Sequence, residues 1–306
     1  MRRISNSEGA TWLSCKRKYY YAFDLGIAPK VKLNHPIGND KVRTLGVGIL
    51  GHEILGIYYD FLRVGFSHEE ALHETRKILI GMMQNPIRYS IELVAHITKI
   101  LERYWAHYGE ADFIRYEIEA VEKEYDVPLT DEFSFVFRPD LVLRERSTGK
   151  MILWDHKFKY EFFSDTAIAL SGQIPKYLGA LRYNEIWPDK VYLNQVNALT
   201  KRGTPTSSWT PKDYFNRLPV VPSNAKVTRA IKEQIIVSQQ ISDWRDLPIE
   251  IRKATALRAM DAFPSPCGQC PYQLPCRMEY DGGKITHVLA NDFGPNSYDY
   301  NRDERL

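Results

Sequence analysis

The chain carries one cysteine near its start and three near its end, with none between. They are Cys15, then Cys267, Cys270 and Cys276 in the stretch Cys-Gly-Gln-Cys-Pro-Tyr-Gln-Leu-Pro-Cys. Any site using all four must bring the two ends of the chain together, so this spacing constrains the fold more than any other feature. A structural zinc site usually gathers two close pairs of ligands, each on its own turn. Here one thiolate stands alone, an arrangement unusual for zinc and acceptable for an iron–sulfur cluster. Four ordinary buried thiols are the third reading. The Cys-x2-Cys-x5-Cys spacing, with Pro266, Pro271 and Pro275 beside it, argues against scatter.

Composition excludes several classes. A length of 306 residues forms one large domain or two modest ones with ample core. The 44% hydrophobic and 26% charged residues are those of a soluble globular protein. A net charge of only +3 rules out a global basic field, so nucleic-acid binding would need a local patch. Four cysteines do not make a disulfide scaffold, and a reducing compartment suits thiolate ligands. The N-terminus Met-Arg-Arg-Ile-Ser has no apolar leader, and no run reaches membrane-spanning length. The expectation is a soluble, cytoplasmic protein that makes no membrane contact.

The first 110 residues read as helical. Ser5 or Ser7 can cap a helix carrying Trp12 and Cys15. Residues 29–43 read as a loop, followed by helices over about 44–64, 67–83 and 87–108 from apolar steps of three and four. Near 113 the period changes to two: Ile114, Tyr116 and Ile118 alternate with charge, as Phe133, Phe135 and Phe137 alternate further on. Leu141–Leu143 and Met151–Trp154 read as a hairpin across Ser147-Thr148-Gly149-Lys150. A helix over about 166–186 and a strand over about 190–198 follow. Residues 200–224 read as irregular, 225–243 and 248–261 as helices, and the tail after 281 as loosely held. This order makes a mixed α/β core, not a doubly wound nucleotide fold.

Two aspartates follow strongly apolar strand residues: Asp140 in Phe-Arg-Pro-Asp-Leu-Val-Leu, and Asp155 in Ile-Leu-Trp-Asp-His-Lys-Phe. Such charges are costly unless paired or bound to a cation. On adjacent strands their mutual repulsion favours a divalent metal between them. Alternate strand residues share a face, which sets the Lys157 ammonium beside Asp155. Phosphodiester cleavage asks for this grouping: a metal to polarise phosphate and water, an amine to support developing charge. Asp-x-Lys alone is common and usually marks a solvated strand edge. His52 sits on the second helix, where a lone histidine is more often packed than ligating. Gln173 and Tyr177, four apart, share a helix face. Glu122 and Glu124 read as a solvated strand face. Arg2, Arg3, Lys16, Arg17 and Lys18 beside Tyr19, Tyr20 and Tyr21 combine cations with stacking surfaces suited to single-stranded nucleic acid, or form a helix whose tyrosines pack. Lys159 and Lys176 fall near the site.

The ordered set His52, Asp140, Asp155-x-Lys157 and Gln173-x3-Tyr177 resembles the RecB-like branch of the PD-(D/E)XK nuclease superfamily. The flanking cysteines resemble the iron–sulfur staple of that branch, found in CRISPR-associated RecB-like exonucleases and the AddAB B-subunit nuclease domain. The resemblance covers about residues 12–280. It implies a restriction-endonuclease-like mixed sheet flanked by helices, arranged as a single nuclease domain over 1–306. Within it, 1–110 would form a helical N-terminal cover, 111–200 the catalytic core, 201–280 a helical part with the cysteine cluster, and 281–306 a tail. It further implies that His52, Asp140, Asp155 and the backbone carbonyl of His156 ligate Mg²⁺ or Mn²⁺. Lys157 would orient the attacking water, with Gln173 and Tyr177 holding substrate and site. Cys15, Cys267, Cys270 and Cys276 would hold a structural [4Fe–4S] cluster. Closing so long a loop is worth about 5 kcal/mol by analogy with a covalent cross-link.

Two departures stand out. The family often has glycine where Phe137 stands here, and Pro139 precedes Asp140. Pro175, between Gln173 and Tyr177, would kink the helix unless it lies in a first turn beginning near Ser171. The implied activity is a metal-dependent exonuclease on single-stranded DNA ends, with 5′→3′ polarity favoured. The alternatives are a DNA-binding or assembly factor that cuts little, and an end-processing subunit active only beside an integrase, helicase or recombinase. The chain has no Gly-x4-Gly-Lys-Ser/Thr loop and is not itself a motor.

Overall fold

The computed structural model describes residues 1–30, 40–159, 161–198, 210–259, 267 and 270–296, the side chains of 40–45 and 169 excepted. The chain begins with β1 (Arg2–Ser5), α1 (Asn6–Ser14), α2 (Lys16–Tyr19) and β2 (Ile27–Pro29). Helices α3 (Asp40–Arg63), α4 (His68–Gln84), α5 (Ile91–Tyr104) and α6 (Glu110–Arg115) follow. Then come β3 (Tyr116–Val121), β4 (Tyr125–Pro128), β5 (Phe133–Phe137), β6 (Leu141–Glu145) and β7 (Met151–Lys159). Helices α7 (Asp165–Leu170) and α8 (Gln173–Tyr183) lead to β8 (Lys190–Asn197), α9 (Pro211–Tyr214) and β9 (Phe215–Pro219). The rest is α10 (Asn224–Arg245), α11 (Ile249–Thr255), α12 (Gln273–Tyr280), α13 (Thr286–Asp292) and β10 (Phe293–Pro295). The mixed α/β class expected from the sequence holds.

The chain divides into two compact units. One comprises Lys32–Glu124 and Arg138–Asn224. Its five-stranded sheet runs β3-β6-β7-β8-β9. Only β7 and β8 pair in parallel; the other neighbours are antiparallel. The β6–β7 hairpin turns at Gly149, whose φ of +70° is a left-handed conformation natural to glycine. Helix α3 buries Val47, Leu50, Ile54, Leu55, Tyr58, Tyr59 and Leu62 at three- and four-residue steps, and these join Trp154 and Phe158 of β7 in one core. Close approach of α3 to β7 depends on Gly51, where an added Cβ would lie 2.6 Å from the Phe158 ring. A capping box at Ser67 and Glu70 starts α4, and the Ser90 hydroxyl caps α5.

The other unit comprises Met1–Val31, Tyr125–Phe137 and Ala225–Leu306. Here β1 pairs parallel to β5, and β4 pairs antiparallel to β5 on its other side. The Arg245 guanidinium meets Glu8, which also accepts from the Tyr19 hydroxyl at 2.7 Å. The Arg252 guanidinium and the Trp244 indole both reach the buried Asp24.

Several sequence readings need correction. Phe133, Phe135 and Phe137 belong to β5 of this second unit, fully buried between two neighbouring strands. Strand β1 escaped notice because its four residues include two arginines. Within 200–224, residues 200–209 lie outside the described set, but α9 and β9 are regular, and β9 completes the five-stranded sheet. The tail is held as far as Pro295, where β10 pairs antiparallel with β2; 297–306 lie outside the described residues, as does most of the 29–43 loop. The expected helix over 166–186 breaks at Ser171 and Gly172 into α7 and α8.

Candidate active site

The turn from β5 towards β6 brings Asp140 to the head of β6, one residue before the Leu141–Trp154 pair of the β6–β7 ladder. That register sets Asp140 beside Asp155. The backbone amide of His156 donates to Asp140 Oδ2, so strand pairing itself orients the carboxylate. On the opposite carboxylate oxygen, His52 Nδ1 from α3 lies at 3.4 Å. Asp155 and Lys157 point the same way, and the ammonium spans both Asp155 oxygens at 3.0 and 2.8 Å. Gln173 Nε2, at the start of α8, donates to Asp155 Oδ1 at 3.3 Å and to the Tyr177 hydroxyl at 3.0 Å.

Pro175 sits in the first turn of α8, where its missing N–H is not required, so the helix is continuous and the Gln173–Tyr177 face survives. The structure thus brings His52, Asp140, Asp155, Lys157, Gln173 and Tyr177 to one place. The side chain of His156 does not join them. It turns to the other face of β7, where its Nδ1 accepts from Asn194 Nδ2 at 2.8 Å and its ring stacks near Tyr59.

The electrostatics follow from burial and proximity. For His52, burial opposes the charged imidazole, but Asp140 beside it prevails and the pKa rises above 6.5. Burial would raise Asp140, yet His52, His156 and Lys157 outweigh it and hold the carboxyl well below the usual carboxylate range. Asp155 moves the other way: burial, with Asp140 alongside, raises it against the pull of Lys157. Lys157 is penalised by burial and held charged by both aspartates, with a net rise. Burial drops the His156 imidazole to about 3, so it is neutral at physiological pH.

Among the described residues one group has ligand atoms close enough for a single ion: His52, Asp140 and Glu122, all within 4.8 Å of one another. The sequence pattern makes Glu122 a solvated strand residue. It lies just past the end of β3, and nothing in the alternation marks it. Asp155 is outside this trio; Lys157 and Gln173 engage its oxygens.

A family model for the PD-(D/E)XK nuclease superfamily matches residues 3–277. The chain belongs to the PD-(D/E)XK nuclease superfamily. The five-stranded mixed sheet flanked by helices is the restriction-endonuclease-like arrangement of these nucleases, which hydrolyse nucleic acid with divalent metal. Among solved structures, the chain is similar to the crystal structure of SSO0001 at 12% identity, covering 90% of this chain and 85% of that one, with a TM-score of 0.36. No curated protein matches significantly. The donor set fits the divalent cation of a PD-(D/E)XK nuclease: one imidazole with carboxylate oxygens suits hard ions such as Mg²⁺ and Mn²⁺, which keep waters and take substrate phosphate.

The cysteines occupy other ground. Cys15 caps the end of α1, Cys276 lies in α12, and the Cys270 amide donates to the Cys267 carbonyl at 3.1 Å in the turn before α12. None is in a disulfide, and among the described residues no three of these sulfurs lie at single-ion spacing. The basic N-terminal run is not a stacking platform. Tyr19, Tyr20 and Tyr21 are buried, while Arg2 meets Asp246, Arg3 meets Asp126 and Arg17 meets Glu279. Among the described residues no helix is long and apolar enough to cross a membrane.

Proposed function

We propose that this chain is a RecB-like, Mg²⁺- or Mn²⁺-dependent deoxyribonuclease acting as an exonuclease on single-stranded ends, with 5′→3′ polarity. The observation that carries the nuclease reading is the pairing of His52 with Asp140, at the head of β6, and of Lys157 with Asp155 on the adjacent strand β7. The cation would be held by His52, Asp140, Asp155 and the His156 carbonyl. When bound, it supplies Lewis acidity and a lowered water pKa. Lys157, held charged by its neighbours, donates to the phosphate oxygens as negative charge develops. Gln173, fixed between Asp155 and Tyr177, orients that carboxylate and the bound phosphate. Single-strand preference and polarity rest on the resemblance alone. So does the assignment of 1–306 as one nuclease domain, though the family match runs through residues of both units.

The [4Fe–4S] staple on Cys15, Cys267, Cys270 and Cys276 belongs to the same proposal. What supports it is shared charge. Burial raises Cys270 and Cys276, Cys15 acts on both, and Lys18, Arg17 and Arg258 favour their thiolates. A cuboidal cluster also holds its thiolates farther apart than a single ion does. The test is anaerobic purification with iron and sulfide assay, then a cleavage assay on end-labelled single and double strands with Mg²⁺ or Mn²⁺. Metal-dependent shortening from single-stranded ends, lost in Asp155→Ala, is expected. Binding without cleavage would favour the assembly-factor reading; cleavage only with an integrase, helicase or recombinase present would favour the partnered subunit. Colourless, iron-free, active protein would remove the cluster and leave the nuclease.

A further inference from the structure

We propose that Glu122 is a ligand of the catalytic cation, a second carboxylate donor beside Asp140 and the His52 imidazole; this rests on the metal-dependent nuclease reading above. The first observation is position. Strand β3 stops at Val121, and Glu122 turns the chain with φ +48°, a left-handed conformation that glycine adopts freely and glutamate does not. In that corner the Glu122 amide donates to the Asp140 carbonyl at 2.9 Å, locking the two residues together. Its carboxylate then lies within 4.8 Å of ligand atoms on both His52 and Asp140.

The second observation is charge balance. The neighbouring cations already have other carboxylates: Lys157 lies on Asp155 at 2.8 Å, and Arg138 on Glu124 at 3.1 Å. Among the described residues none donates a hydrogen bond to the Glu122 carboxylate or forms an ion pair with it. Two adjacent carboxylates therefore share one imidazole. Like charges so close need a proton or a cation between them.

The side chain is open to solvent, as a ligand must be if a hydrated ion is to enter and also receive phosphate. Asp155 is engaged by Lys157 and Gln173, so Glu122 supplies charge that Asp155 shares with the lysine. The site is then asymmetric. An oxygen-rich side at Glu122 and Asp140 anchors the ion, while the Asp155–Lys157 side faces the reacting phosphate.

The experiment measures Mn²⁺ binding to the full chain by electron paramagnetic resonance, without DNA, for wild type, Glu122→Gln and Asp140→Asn. Thermal unfolding of each is followed with and without Mn²⁺. Glu122→Gln is expected to weaken Mn²⁺ binding by about tenfold or more. Its metal-free melting temperature should equal or exceed that of wild type, because one of two repelling charges is gone, and its gain on adding Mn²⁺ should shrink. Weak binding in Asp140→Asn with wild-type binding in Glu122→Gln would overturn this inference alone. Equal binding in all three would overturn the underlying metal site with it. A lower metal-free melting temperature, or failure to fold, in Glu122→Gln would mark Glu122 as structural and also overturn the proposal.

Discussion

Lys157 carries the sharpest prediction at the level of single residues. It is the amine nearest the proposed reacting phosphate and already pairs with Asp155. Lys157→Ala should therefore lower kcat by about 10²- to 10³-fold while leaving Mn²⁺ affinity nearly intact. Single-turnover cleavage alongside metal titration separates the two effects. His52 offers a second check, in metal-free protein. Its folded pKa lies above 6.5 because Asp140 outweighs burial. The contact with Asp140 therefore adds its full stability below 6.5 and loses it as the pH rises through the raised folded value. In Asp140→Asn burial and Lys157 outweigh Asp155, so the His52 resonance should titrate below 6.5 in NMR. Asp140, Asp155 and Lys157 were legible because charge in an apolar strand demands a reason. Glu122 was not, because Lys123 and Glu124 follow it and the run reads as a solvated strand face; only the backbone turn after β3 brings it to Asp140.

Helix α3 and strand β7 meet where Gly51 faces Phe158. Gly51→Ala forces a Cβ to 2.6 Å from that ring and should cost about 1–3 kcal/mol in denaturant unfolding. Phe158→Leu in the same background should return part of the loss. Behind β7 runs a buried polar chain. Arg217 holds Asp112 at 2.7 and 2.9 Å, Asp112 accepts from Tyr59, and Tyr104 links Tyr59 to Asn194 and so to His156. Arg217→Met strands Asp112 in the core and should cost about 3–5 kcal/mol, with Arg217→Met/Asp112→Asn recovering most of it. The β6–β7 hairpin could be read from its period of two and its Gly149 turn. Strands β1, β9 and β10 could not, since each is short, carries arginine or proline, and depends on a partner distant in sequence or an edge position for its pairing.

For the whole molecule, the sequence pointed to one site tying its ends together and another built between helices and sheet. The second lies wholly within the unit that contains Lys32–Glu124 and Arg138–Asn224, and all four cysteines lie in the other. No pattern of hydrophobic periodicity announced that division, because β4 and β5 interrupt the run of core strands in sequence. The most direct measurement is a crystal soaked in Mn²⁺ and located by anomalous scattering. One strong peak should appear between His52, Asp140 and Asp155, with the Lys157 amine alongside. A peak elsewhere, or these side chains bare while Mn²⁺-dependent cleavage persists in solution, would contradict the shared-cation site.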